Sequence, residues 1–184
     1  RNPGMSGRPI IACVGAGRMG RGMAHCFAYA GHEVRLLDIK PRDQGGFEAL
    51  KTQALGEIEK TLTMLTGLGA FEAAAIPRIV ARISVLPADE AGAALSDADF
   101  VFEGVPETED AKRDAFALID RHAGPETVIT STTSTFLSTM LAEMVADRSR
   151  FLNAHWLNPA YIVPLVELSP TPETDPAVTA RTKA

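Results

Sequence analysis

The chain has 184 residues, 46% of them hydrophobic, and a net charge of −5. Its size and apolar content suit one domain with a substantial core. The acidic balance gives no electrostatic reason to expect nucleic acid or an anionic membrane as a partner, and no apolar run reaches the roughly 18 residues of a membrane span.

In chain order, Ile10–Val14 is a short apolar run of the kind that forms a fully buried parallel strand. A glycine-rich turn follows over Gly15–Gly22. Met19, Met23, Phe27 and Ala30 then recur at helical spacing until Gly31 ends the helix. Glu33–Ile39 reads as a second strand, Phe47–Leu68 as a helix and Phe71–Arg82 as another. Ile83–Leu86 is strand-like, Asp89–Leu95 a short helix and Asp99–Val105 a strong strand. Thr108–His122 is a helix stopped by Gly124 and Pro125. Val128–Ser131 is a strand, Phe136–Ala146 a helix, and Phe151–His155 and Leu165–Leu168 are the last strands. Strand and helix alternate throughout, so the expected fold is α/β: a Rossmann-type, doubly wound, mostly parallel sheet with helices on both faces.

Met5 reads as the native start, and no signal-peptide pattern precedes the first strand. Cys13 and Cys26 are expected as buried, reduced thiols, which suits a reducing, cytoplasmic setting. The expected organisation is a cofactor-binding domain over residues 5–170, with residues 171–184 the start of a C-terminal helical domain absent from this chain. No metal site is expected.

Gly15-Ala-Gly17-Arg18-Met19-Gly20 is a G-x-G-x-x-G that follows an apolar strand and opens an amphipathic helix, the context a dinucleotide site requires. Gly15 permits the tight turn, Gly17 lets the backbone approach a pyrophosphate, and Gly20 lets helix and strand pack closely. The helix N-terminus offers N–H groups and positive potential to the phosphates. Asp38 ends the second strand 18 residues after Gly20. A carboxylate there accepts from the adenine ribose hydroxyls and repels a 2′-phosphate, favouring NAD, while nearby Lys40 and Arg42 keep NADP open as an alternative.

Asn153-Ala-His155-Trp-Leu-Asn158-Pro159 closes on Glu167 twelve residues after the histidine. It places an imidazole and a carboxylate on two short apolar segments joined by a proline-containing loop, an arrangement suited to a general base with an acidic partner. Glu167 reads either as that partner or as an outward-facing edge residue. Among the remaining histidines, His25 on the first helix and His32 before the second strand read as structural, and His122 sits at a helix end. Trp156 reads as a packing residue, with lining of the substrate cleft as the alternative.

Together these segments resemble the NAD-binding domain of the L-3-hydroxyacyl-CoA dehydrogenase family, 3-hydroxybutyryl-CoA dehydrogenases included. The resemblance spans roughly residues 9–181. It rests on Val14-Gly-Ala-Gly-Arg-Met-Gly-Arg-Gly22, Val101-Phe-Glu-Gly-Val-Pro-Glu107, Ser131-Thr-Thr-Ser134, and His155-Trp-Leu-Asn-Pro159 through Glu167. It implies an enzyme in which His155 takes the proton of the substrate 3-hydroxyl while hydride leaves for NAD, with Glu167 orienting the imidazole. It places Ser134 on a serine that contacts substrate and nicotinamide, and Glu107 and Lys112 near the nicotinamide end of the cofactor. It also implies a small-molecule substrate, a further asparagine from beyond this chain, and a homodimer at full length. The residues themselves leave blander roles open. The hydroxyls of Ser131–Thr135 can cap the next helix, Glu107 can stabilise the helix after Thr108, and Lys112 can be a solvated helix residue.

The pattern departs from the family at the CoA end. Members that use CoA thioesters tend to carry a lysine cluster where Lys60-Thr-Leu-Thr-Met-Leu-Thr-Gly-Leu-Gly-Ala-Phe71 stands, and here Lys60 is the one base. Thr61 keeps a hydroxyl where a CoA-contacting serine is expected. The stretch Asn158–Leu168 resembles relatives acting on free hydroxy acids, such as L-gulonate 3-dehydrogenase and carnitine dehydrogenase. A non-catalytic NAD-binding or structural protein on the same fold is the third expectation.

Overall fold

The computed structural model describes residues 7–163 and 165–184; the expected start at Met5 lies outside them. Its strands are β1 (Ile11–Val14), β2 (Val34–Asp38), β3 (Ile83–Pro87), β4 (Phe100–Glu103), β5 (Val128–Ser131), β6 (Phe151–Trp156) and β7 (Val166–Pro170). Its helices are α1 (Arg18–Ala30), α2 (Gln44–Gly67), α3 (Ile76–Val80), α4 (Ala91–Leu95), α5 (Glu109–His122), α6 (Ser138–Ala142) and α7 (Pro176–Lys183). The strands form one sheet in the order β3-β2-β1-β4-β5-β6-β7. All neighbours are parallel except β6 and β7, which pair antiparallel and leave β7 as an edge.

The central strands are buried at every residue because both faces are covered, which explains their continuous apolar runs. On one face Ile11, Cys13, Leu36, Phe102 and Ala154 meet α1, α2 and α3. On the other, Val14, Leu37, Val101, Ile129 and Phe151 meet α4, α5 and α6. Within α2, Leu50, Ala54, Ile58 and Leu62 form a single buried stripe at four-residue spacing, and the Asp43 carboxylate caps its start by accepting from the Gly46 amide. Thr108 caps α5, where the sequence expected that helix to begin.

Two expected helices are shorter than their patterns. Residues 71–82 hold a short 3-10 turn over Ala73–Ala75 and only five α-helical residues, Pro77 lying in the first turn of α3. The helix expected over 136–146 is reduced to α6. Its end tightens into i→i+3 bonds from Met144 to Leu141 and from Val145 to Ala142, and the Ala146 amide turns aside to Asp120. At the far end, Asp175 caps α7, whose Val178 packs on the first core and whose Arg181 lies over the Phe100 ring. No helix among the described residues is long and apolar enough to cross a membrane.

Candidate active site

Strand order reverses between β1 and β4, and in open α/β sheets ligands bind outside the carboxyl ends of strands at such a point. The sequence-expected residues lie at those ends. Gly15–Gly20 follow β1, Asp38 ends β2, Glu107 follows β4, Ser134 follows β5, and His155 and Glu167 face each other across β6 and β7.

The glycine turn fits a pyrophosphate. Gly15 has φ +102°, and a Cβ there would stand 2.9 Å from the Gly104 carbonyl oxygen. A Cβ on Gly20 would fall 1.8 Å from the Gly15 carbonyl oxygen, so helix and turn tolerate no side chain. Over Gly17 the space is open, α1 has no side-chain cap, and no acidic residue occupies its first turn. Arg18 is exposed and Met19 half-buried at the same helix start. These features leave the helix N-terminus free to receive a dinucleotide's phosphates. Asp38 is buried, and its Oδ2 accepts from Arg42 Nε at 2.5 Å. Arg42 is thereby engaged with the carboxylate at the end of β2.

Past the turn lies a charged cluster. Lys112 is 1% exposed, not solvated, and donates to both oxygens of the fully buried Glu103 and to Glu107, each at 3.0 Å. Glu103 also accepts from the Val105 amide and the Ser131 hydroxyl. Glu107 does not cap α5, whose cap is Thr108, and it meets that helix through the Lys112 ammonium. It accepts from the Ser134 amide and the Thr133 hydroxyl, each at 3.0 Å. Burial raises the Glu107 carboxyl, but the Ser134 amide, the Lys112 ammonium and the Thr133 hydroxyl outweigh it, and the net direction is below the usual carboxylate range. Nor do the hydroxyls of this loop cap α6, which has no side-chain cap. Asn153 Nδ2 donates to the Thr133 carbonyl and ties β6 to the same loop. Thr133, Asn153 and Glu103 all stand inside the sequence motifs without being assigned a role there. The available signal for Glu103 was a charge ending an otherwise apolar four-residue strand.

His155 Nδ1 lies 2.9 Å from Glu167 Oε2. The two are directly opposed in the antiparallel ladder, which points both side chains to one face. Carboxylate oxygens accept, so Nδ1 donates and the acceptor lone pair falls on Nε2. Glu167 is 61% exposed at the edge, so the pair contributes little stability; its effect is to orient the ring. His155, Glu167 and Ser134 line one polar cleft of about 510 Å³ with Thr133, Ser138 and Asn153.

Other sequence-marked residues lie elsewhere. Trp156 packs against Phe27 and Phe102 and lines a separate apolar cleft of about 470 Å³. His25 is buried, and His32 Nδ1 meets the Pro9 carbonyl. Both cysteines are free, Cys13 buried as expected and Cys26 only half-buried. Burial pushes the Cys13 thiol above its usual range and Cys26 to about 11, so neither supplies a thiolate near neutral pH. On α2, Thr61 turns its hydroxyl back to the Glu57 carbonyl.

Comparison with known proteins places these features in context. Residues 10–184 match the family described as 3-hydroxyacyl-CoA dehydrogenase, NAD binding domain. The chain is 37% identical to the lambda-crystallin homolog of Bos taurus, covering 100% of this chain and 54% of that protein. It is 36% identical to L-carnitine dehydrogenase of Streptomyces coelicolor, covering 86% and 46%. Among solved structures, (S)-3-hydroxybutyryl-CoA dehydrogenase from Ralstonia eutropha superposes with a TM-score of 0.84 at 28% identity, covering 95% of this chain and 58% of that one. The chain thus spans about half the length of the curated relatives it matches.

Proposed function

The chain belongs to the 3-hydroxyacyl-CoA dehydrogenase NAD-binding-domain family, and from that premise we propose that it serves an enzyme oxidising the 3-hydroxyl of a short-chain L-3-hydroxyacyl-CoA to the 3-ketoacyl-CoA. The observation that carries this reading is the 2.9 Å His155–Glu167 bond, made in the same cleft as Ser134 and at the carboxyl ends of the strands. When bound, NAD supplies the acceptor for the hydride that leaves C3. The protein must then take the hydroxyl proton, and His155 Nε2 takes it while Glu167 steadies the imidazolium. Ser134 holds the reacting oxygen and the nicotinamide side of the cleft. Glu107 receives the cofactor's nicotinamide half, and Lys112 acts through Glu107 because its ammonium is spent on two carboxylates. Gly15, Gly17, Arg18, Met19 and Gly20 hold the pyrophosphate, and Asp38 the adenine ribose.

A second reading, the same reaction on a free hydroxy acid, is favoured by one observation: residues 60–71 offer Lys60 alone where CoA phosphates would want several cations. The likeness to L-carnitine dehydrogenase points the same way. The proposal includes a cofactor domain over residues 5–170, followed from residue 171 by a helical domain, and a full-length homodimer. Exposed Leu137 in the cleft wall, with exposed Met140, Ile162 and Leu165, supports such a cover.

Following NADH absorbance with acetoacetyl-CoA, gulonate and carnitine in parallel separates the readings. Oxidation with the thioester alone supports the first, and activity on a free acid alone supports the second. Silence with all three despite NAD affinity supports a non-catalytic protein. His155→Ala is expected to lower turnover by ~10²- to 10⁴-fold while leaving NAD affinity intact. Loss of affinity together with turnover would assign His155 a structural role.

A further inference from the structure

Two carboxylates share one ammonium beneath the half of the crevice that lies beyond the glycine turn. Glu103, Lys112 and Glu107 therefore carry a net charge of −1 by formal count, with Glu103 and Lys112 removed from water and Glu107 only 39% exposed. Apolar residues of similar volume generally replace such a buried set with no loss of stability, so its presence calls for a role beyond packing. Its position supplies one. Gly104, next to Glu103, packs against the Gly15 turn, and its amide donates to the Val14 carbonyl at 2.8 Å. A dinucleotide crossing that turn with its adenosine at Asp38 on β2 places its other half over the ends of β4 and β5. There Glu107, Thr133 and Ser134 are joined to the cluster by hydrogen bonds.

We propose that Glu103, acting through Lys112 and Glu107, sets the balance between the protein's affinities for oxidised and reduced cofactor. The nicotinamide ring is a cation in NAD+ and neutral in NADH. A net negative charge beneath it attracts the first and leaves the second almost untouched. Because Glu103 and Lys112 are shielded from solvent, salt screens that part of the cluster weakly. Every hydrogen bond that the two forms share cancels in the ratio of their affinities, so the charge is what the ratio reads. By linkage, the cluster shifts the bound equilibrium toward NAD+. In chemical terms this favours hydride transfer from NADH to the ketone, with His155 returning the proton to the new alcohol. Glu103 touches neither cofactor nor substrate and is a positioning residue.

This inference rests on the reading that NAD docks at the glycine turn. The test is isothermal titration of NAD+ and of NADH into the intact protein, its Glu103→Gln variant and its Glu107→Gln variant. Glutamine keeps the size of the side chain and removes the charge. The expected result is a dissociation constant for NAD+ that rises roughly fivefold relative to that for NADH in each variant, as expected for one unit charge at the distance of a few side-chain lengths in a partly buried site. An equal loss for both forms would make the cluster a packing device and overturn the proposal, as would a ratio unchanged in both variants. If Glu103→Gln does not fold, the ratio in Glu107→Gln decides, since that carboxylate lies partly in solvent. Wild-type protein that binds neither form overturns the docking and this inference together; wild-type binding of both forms with no shift in ratio overturns only the inference.

Discussion

His25 is 3% exposed on α1, with its ring 5.3 Å from that of Tyr161 and its Nδ1 lacking a partner among the described residues. Burial lowers it from 6.5 to about 4. Between those two values the unfolded chain binds a proton that the native state refuses. Its contribution is therefore fully present above pH 6.5 and is lost as pH falls toward 4, by at most about 3 kcal/mol. Urea unfolding of the wild type should weaken over that window by about 2 kcal/mol more than that of His25→Phe, which keeps a ring against Tyr161. Equal pH slopes for the two proteins would refute the assignment. His155 differs from His25 in both respects: it is half-buried, and its Nδ1 is held by a carboxylate. The sequence distinguished the two by neighbours alone. Asn158-Pro159 and a carboxylate twelve residues on accompany His155, whereas His25 stands within a helical run of small and apolar residues.

At the scale of the element, α1 and its glycine turn behave as one unit. A side chain at Gly20 has no room, because the obstructing atom is the Gly15 carbonyl oxygen of a turn that itself packs against Gly104. Gly20→Ala is expected to remove measurable NAD binding in a titration and to lower the thermal midpoint by several degrees, roughly as 1–3 kcal/mol of strain would. A variant that binds NAD normally would show that turn and helix can separate. Elements with strong local signals lay where the sequence indicated: β5 to the residue, and α5 with its Thr108 cap. Those that shortened, the helices expected over 71–82 and 136–146, had apolar spacing, and the hydroxyls before the second of them do not cap it. Their ends were set by tertiary hydrogen bonds such as Asp120 to the Ala146 amide.

Across the whole molecule, α5 and β6 bring the two halves of the site together. Phe116 of α5 meets Phe151 of β6 edge-on at 5.7 Å, both fully buried, so the helix that carries Lys112 is packed against the strand that carries His155. Phe116→Ala is expected to destabilise the protein by about 3–5 kcal/mol in denaturant unfolding. A cost below about 1 kcal/mol would mean that the surrounding helices collapse into the space.

Local chemistry determined what the sequence could determine alone. Period and turn residues specified the alternation of strand and helix, and motif context was enough to mark the glycine turn, Asp38 and the His155 segment as candidates. Only the tertiary structure decided which residues share a hydrogen bond. Sheet register set His155 opposite Glu167, while the packing of α5 on the sheet turned Lys112 inward onto Glu103 and left Glu107 bridging Lys112 and the Ser134 loop. Such pairs join residues far apart in the chain, Ser131 and Glu103 being 28 positions apart. Hydrophobic periodicity records which face a side chain occupies, but not which strand will come to lie beside it.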